Sequence, residues 1–386
     1  MPSVAVVGGS LGGLTAALVL ADVGCDVTVY ERSASALEAR GAGIAVLDET
    51  VRWFAERTDT DPDKLCSTTR WIRFLDRSGG VVHERDHPYR FSSWNTIYRA
   101  LLAELPAHRY RLGCEVTDIA GDGVLTLGTG ERVRADLVVC ADGIGSAARA
   151  RLLPEVTPTY SGYVAWRGTL PETELRPATF DRLSDAITYQ VLADSHVLVY
   201  PIPGPDGSLE PGKRLTNVVW YRNVTDLDAL MTDRTGTLRQ VSLPPGAARD
   251  DEVRRLRADA AELLAPVIAE VLTAVPEPFV QVVYDIEVPR MAHGRMCLIG
   301  DAAFAVRPHA AAGTAKAAAD GWELAASLVA AGGDVDVALP EWERRQLALG
   351  RDLLRRNREI GDASQRYGTF VPGDEKLIFG LRGPGR

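Results

Sequence analysis

The sequence predicts an α/β chain: a helix-covered, mostly parallel sheet, a mainly antiparallel sheet inserted into it, and a long helix near the C-terminus. Three observations predict this. A β-branched run, Val4 to Val7, leads into Gly8-Gly9-Ser10-Leu11-Gly12-Gly13, an apolar helix and a second strand ending at Glu31. Two further short apolar runs, Ala135 to Cys140 and Met296 to Ile299, deliver the turns Asp142-Gly143 and Gly300-Asp301. Short apolar runs of this kind suit strands covered on both faces. Between Tyr160 and Asn223 the texture changes to aromatic and β-branched segments separated by turn residues, the pattern of an antiparallel sheet.

Taken in order, the N-terminal unit is Rossmann-like. Gly8 permits the tight turn after the strand, Gly13 lets helix and strand pack closely, and the helix start offers backbone amides to a pyrophosphate. Glu31 closes the second strand where a ribose hydroxyl would donate to it. We therefore take Gly8, Ser10, Leu11, Gly12, Gly13, Glu31 and the adjoining Arg32 as cofactor-binding candidates. The usual middle glycine of the fingerprint is Ser10, whose hydroxyl can donate to the phosphate. Arg40, in the stretch Arg40-Gly41-Ala42-Gly43, either reaches a phosphate or is a solvated loop residue. This unit alone does not separate NAD from FAD.

Thr69 to Leu75 and Val81 to Glu84 read as a hairpin, and Ser93 to Leu105 as a helix with Arg99 on its polar face. Asp142 and Asp301, at the carboxyl ends of their strands, are placed to bind a hydroxyl-rich chain. Two such turns beside one glycine fingerprint suit the ribityl chain of FAD better than NAD, and no second G-x-G-x-x-G marks a separate nicotinamide domain. Of the sheet aromatics, Tyr163, Trp166, Tyr189 and Trp220 read as packing, and Tyr200 and Tyr221 as candidate substrate contacts. Residues 247–275 read as one amphipathic helix and Val280 to Val288 as a strand. After the Asp301 turn, Pro308 and His309 lead to a helix start at Gly313, Thr314 and Ala315. The charged last helix, Leu339 to about Tyr367, reads as a solvated face. The expected division is residues 1–70, 92–157 and 286–338 for the cofactor, 71–91 and 158–285 for the substrate, and 339–386 for the helix and tail.

Composition narrows the function. A chain of 386 residues, 46% hydrophobic and 25% charged, is long enough for two substantial cores. Its net charge of −9 disfavours nucleic acid and anionic membranes as partners. Five cysteines without C-x-x-C spacing read as free thiols, with no metal site expected. The N-terminus runs straight into a strand with neither signal peptide nor membrane span, so a soluble, cytoplasmic protein is expected. Arginine far outnumbers lysine, as in a GC-rich bacterial genome.

The three turns, in this order and spacing, resemble the class A flavin-dependent aromatic monooxygenases with the p-hydroxybenzoate hydroxylase-like fold. Tyr163 to Gly168 (YVAWRG), Tyr200 to Gly204 (YPIPG), Arg307 to Gly313 (RPHAAAG) and Phe370 to Leu381 resemble the hydroxypyridine-hydroxylating branch of that family. Against the general pattern, Phe304 stands where His is common, Ala311 and Ala312 replace a glycine and a glutamine, and Ala315 replaces an Asn. The resemblance implies FAD as cofactor, NADH or NADPH as transient co-substrate, O2, and a small aromatic N-heterocycle as substrate. It also implies a homodimer. The implied reaction is hydroxylation of an electron-rich hydroxypyridine, 2,6-dihydroxypyridine at C3 first among them. The alternatives are 6-hydroxynicotinate, urate, a phenolic or pyridine biosynthetic intermediate, or a flavin-binding protein without turnover. A halogenase is disfavoured, since Ala165-Trp166-Arg167 does not continue into W-x-W-x-I-P.

By the same resemblance Arg99 becomes an FAD contact, and the amides of Gly313, Thr314 and Ala315 polarise the flavin edge. Pro308 supplies shape or its carbonyl near the reacting ring. His309 is the candidate base, since an imidazole titrates near neutrality and its loop should line the flavin. Arg167 or Arg222 would serve a substrate carboxylate.

Overall fold

The computed structural model describes residues 1–37, 43–120 and 122–386. Among these, a six-stranded sheet has the order Ala292–His293, Met296–Leu298, Leu137–Cys140, Ser3–Val7, Asp26–Tyr30, Tyr110–Arg111. Its neighbours run parallel except for the first pair. The central strands are buried on both faces, as their apolar runs require. The fingerprint helix, Leu11–Asp22, covers one face and packs along the helix Gly313–Ala330. Contact is close: a Cβ at Gly321 would lie 2.9 Å from Ala16 Cα.

The second sheet has nine strands, in the order Ser242–Leu243, Phe279–Asp285, Thr159–Pro171, Leu215–Asn223, His196–Ile202, Ala186–Val191, Ser67–Leu75, Val81–Ser93, Gly43–Ala45. It is antiparallel apart from one pair, Ala186–Val191 against Ser67–Leu75. The hairpin is longer than its sequence pattern suggests, because its strands continue past the alternating core to meet Gly43–Ala45. A small three-stranded sheet, Val116–Ala120, Val124–Leu127 and Arg132–Arg134, lies apart from both.

Three expectations need correction. Residues 247–275 form two helices, Asp250–Leu263 and Pro266–Ala274. Pro266 forces the preceding Ala265 out of the helical region, to φ −54°, ψ 140°. The last helix begins earlier, spanning Val335–Gln365, because Asp334 caps it by accepting from Asp336 N at 2.9 Å, and it continues through Pro340. Nor is that helix simply a solvated face. Arg356 and Asn357 are buried; Asn357 Oδ1 accepts from Ala310 N at 2.8 Å, and the Arg356 guanidinium donates to the Gly380 carbonyl.

Replacing a helix-interior glycine by alanine ordinarily gains about 0.5–1 kcal/mol. Gly321→Ala is expected to reverse the sign and cost about 1–3 kcal/mol, because the methyl group overpacks the Ala16 contact. Thermal melts of the two proteins check this; an unchanged or raised midpoint would rule out so tight a helix pair.

Candidate active site

The glycine fingerprint, the two Asp-Gly turns and the starts of two helices meet in one continuous cleft between the sheets. A 280 Å³ section is lined by Gly8, Ser10, Glu31, Arg32, Trp94, Ala141, Asp142 and Gly143. It shares Ser10, Trp94, Ala141 and Gly143 with a 430 Å³ section that runs on to Asp301, Pro308, Gly313 and Thr314. Gly8 holds φ +99°, and a Cβ there would lie 2.5 Å from the Ala141 carbonyl oxygen, so only glycine lets strands Ser3–Val7 and Leu137–Cys140 deliver their turns side by side. Gly13 is not a lining residue: its missing Cβ makes room for the Gly8 carbonyl at 1.9 Å.

Both helix starts lack a side-chain cap. Ser10 and Ala312 hold the N-cap positions without a side-chain bond, and the first helical bonds are Leu14 N to Ser10 O and Lys316 N to Ala312 O, each 2.8 Å. The amides of Leu11 to Gly13 and of Gly313 to Ala315 are therefore the donors without a helical acceptor. The turn before Gly313 is strained: Ala311 sits at φ +55°, the left-handed region, at a cost of about 1–2 kcal/mol.

The acidic residues do more than face the cleft. Glu31 accepts from Gly9 N at 2.9 Å and Ser33 N at 2.8 Å. Asp142 accepts from the Ser146 hydroxyl at 2.6 Å and Ala148 N at 3.1 Å, which braces its own turn. Asp301 is exposed on the cleft; desolvation by the protein atoms around it raises its pKa, and Lys316 and Arg149 draw it back. Arg149 joins the two turns, donating to the carbonyls of Ile144 at 2.6 Å and Ala302 at 3.1 Å. Beneath Gly300, Asp320 accepts from the Gly300 amide at 2.8 Å and from Lys316 Nζ at 2.7 Å, with both side chains buried.

Strand alternation sorts the second sheet's side chains. Val164, Trp166, Val218 and Trp220 pack on the helices Asp250–Leu263 and Pro266–Ala274. Tyr163, Tyr200, Val219 and Tyr221 face the other way, and all of these except Tyr163 line the cleft. Arg222 belongs to the helix side, where it pairs with Asp259, so it is not a cavity cation. Arg167 is on the cavity side; its guanidinium donates to Gln281 Oε1 at 2.6 Å and to the Gly43 carbonyl. The Tyr200 hydroxyl donates to that same carbonyl at 2.9 Å, so it anchors Gly43. Tyr221 makes no hydrogen bond to a described residue.

Pro308 forms part of the cavity wall with its ring, since its carbonyl accepts from Ala311 N at 3.0 Å. His309 turns away from the main cavity into a side compartment of about 30 Å³, shared with His196, Tyr221, Pro308, Phe370 and Phe379. Its Nε2 lies 2.6 Å from the Tyr163 hydroxyl. The expectation that His309 titrates near neutrality is corrected: burial, then the neighbouring His196 and Arg307, hold its pKa well below 6.5. Space for this junction comes from Gly361 in the last helix, where a Cβ would lie 2.8 Å from both His309 Nε2 and Tyr163 Oη. From the helix Trp94–Glu104 the cleft takes Trp94, and Arg99 is exposed beside it and not among the described lining residues. Arg40 lies outside the described residues.

Comparison with known proteins places this architecture. A family profile described as FAD binding domain matches residues 3–75, and one described as FAD binding domain-like matches residues 160–285. The 2,6-dihydroxypyridine 3-monooxygenase of Paenarthrobacter nicotinovorans is 38% identical over 385 residues, 98% of this chain and 95% of that one. The solved structure of 2,6-dihydroxypyridine-3-hydroxylase from Arthrobacter nicotinovorans superposes with a TM-score of 0.93 at 35% identity, covering 100% of this chain and 98% of the other. The chain belongs to the class A FAD-dependent aromatic monooxygenases. The 6-hydroxynicotinate 3-monooxygenase of Pseudomonas fluorescens is a more distant member, 27% identical over 343 residues, 85% of this chain and 82% of the relative.

FAD is the cofactor of this monooxygenase, and the cleft fits it. The uncapped helix starts supply amide donors at two places along one groove, the space a Cβ would take at Gly313 is open, and Asp301 offers an accepting carboxylate on the same groove. The five cysteines are free thiols. Among the described residues no cluster of His, Cys, Asp or Glu is placed to hold a metal, and no helix is long and apolar enough to cross a membrane.

Sequence reasoning passed over His196, Phe379, and Arg149 as a clamp between turns. A signal existed for His196, which alternates with Leu198 and Tyr200 on one strand face. Burial pushes the His196 pKa down to about 3. An imidazole kept neutral in the folded state takes up a proton only on unfolding, so stability falls as pH drops below the unfolded value near 6.5. Each such histidine steepens the decline by up to about 1.4 kcal/mol per pH unit, and for His196 this continues down toward pH 3. His196→Gln is expected to flatten the dependence of melting temperature on pH between 7 and 5; equal slopes in the two proteins would remove His196 from this role.

Proposed function

We propose that the protein hydroxylates an electron-rich hydroxypyridine, 2,6-dihydroxypyridine at C3, using O2 and NADH or NADPH. The observation that carries this reading is 38% identity over nearly the whole chain to a 2,6-dihydroxypyridine 3-monooxygenase, together with an aromatic-lined cavity at an uncapped helix start. Bound FAD supplies activation of dioxygen with electrons from the nicotinamide. The chain's own residues bind, orient and keep water out.

Leu198, Tyr200, Val219, Tyr221 and Phe379 would hold the ring, and the amides of Gly313 to Ala315 would donate to the flavin where it meets this helix start. His309 Nε2 shares its hydrogen bond with the Tyr163 hydroxyl; in the tautomer that carries the proton on Nε2, Nδ1 accepts from a ring hydroxyl, and the partly freed proton makes the ring a better nucleophile. Because the imidazole stays neutral, it acts by hydrogen bonding and not by titrating. Arg167 supports a second reading, 6-hydroxynicotinate: its guanidinium lines the cavity and its Nε is buried without a partner, a place for a ring carboxylate. Family resemblance supports a cytoplasmic homodimer.

The FAD-loaded protein should oxidise NADH at least about tenfold faster with 2,6-dihydroxypyridine than without it, and consume O2; no response to any hydroxypyridine would end this substrate assignment. His309→Gln should lower kcat about tenfold, the loss of one hydrogen bond to the reacting ring, with FAD still bound. The wild-type pH profile should show no inflection from His309 between pH 6 and 7.

A further inference from the structure

Resting on that reading, the tail after the last helix is more than a terminus. It crosses from the hairpin of the second sheet to the Pro308 loop of the first. Phe370 stacks on His196 with ring centroids 5.3 Å apart. Phe379 stacks on Tyr89 at 4.5 Å, and its amide donates to the Tyr89 hydroxyl at 3.0 Å. Gly380 N donates to the Ala310 carbonyl at 3.2 Å, and Leu381 is buried with Ala310, Ala312 and Ala315. Tyr89 on one side and Ala310 on the other therefore fix the backbone at both ends of Phe379, and its ring has one place to go.

That place is the boundary between two spaces. Phe379 lines the 430 Å³ cavity and also the 30 Å³ compartment that holds His196 and His309. Leu198, Tyr221 and Pro308 line both as well, and they belong to sheet or loop elements already committed to the fold. The compartment has room for about one water-sized group, an oxygen substituent and not a carboxylate or a fused ring. Its two imidazoles are polar, so the substituent that fits is a hydroxyl or ring oxygen.

We infer that Phe379 is the specificity-determining wall of the substrate cavity: it limits the compartment behind it to a single ring oxygen and excludes fused or bulkier heterocycles. The aromatic side chain reaches the ring from a segment outside both sheets, so substrate size is set by the tail.

The test measures binding of hydroxypyridine and of its fused bicyclic counterpart, a hydroxyquinoline, to the oxidised FAD-loaded protein, through the change in flavin absorbance. Phe379→Ala should shift the affinity ratio toward the bicyclic ring by at least about tenfold, and Phe379→Leu by an intermediate amount. Tyr89→Phe removes the bond to the Phe379 amide while the ring stacking and the Gly380–Ala310 bond still seat the wall; it controls for a loosened tail and should leave the ratio near the wild-type value. A ratio unchanged in both Phe379 variants overturns the inference, and so does an equal shift in Tyr89→Phe. Ring binding without NADH oxidation in the wild type would count against the proposed reaction and leave this wall in place.

Discussion

The active site depends on the Arg149 guanidinium. The first sheet presents the Asp142 and Asp301 turns at the ends of two paired neighbouring strands, Leu137–Cys140 and Met296–Leu298, but the pairing stops at the strand ends and leaves the turns themselves to be held. Arg149 settles this by donating to backbone carbonyls on both. Burial lowers its pKa, which measures the cost of keeping a cation there. Hydrogen bonds to fixed carbonyls offset that cost, and removing the cation would leave those acceptors stranded. Asp320, seated under the Gly300 amide with Lys316 beside it, holds the second turn from below.

With the turns fixed, function follows from which face of the second sheet looks at them. Period-2 alternation splits a uniformly aromatic run into a packing face with Trp166 and Trp220 and a cavity face with Tyr163, Tyr200 and Tyr221. The same parity separates two arginines that look alike in sequence: Arg167 reaches the cavity, and Arg222 reaches Asp259. A one-residue slip of either strand would turn its own arginine to the opposite face.

The C-terminal helix completes the enclosure by polar contacts. Gly361 gives up helix propensity so that His309, Tyr163 and Arg307 can meet, and Arg307 is held by Asp285 at 3.0 Å and Asp362 at 2.7 Å. This polar junction keeps His309 neutral and oriented. The helix's other charges, Glu341, Arg344, Asp352, Arg355 and Glu359 among them, lie on its exposed face, as the sequence pattern predicts.

The sequence by itself determined the parallel sheet, the fingerprint helix, the Asp-Gly turns and the family, because each is written in local signals: apolar runs, glycines at fixed offsets, and strand ends. Helix limits at Pro266 and Pro340 were less legible, since proline can either break a helix or sit inside one that a capping residue such as Asp334 has already started. The surroundings of His309, the pairing of Arg222, the clamp by Arg149 and the position of Phe379 were decided only by tertiary structure. Each joins residues far apart along the chain, Tyr163 with His309 and Tyr89 with Phe379 among them, and no local periodicity encodes such a meeting. Burial then sets the chemistry: a histidine that would titrate near neutrality in water is kept uncharged by the protein packed around it.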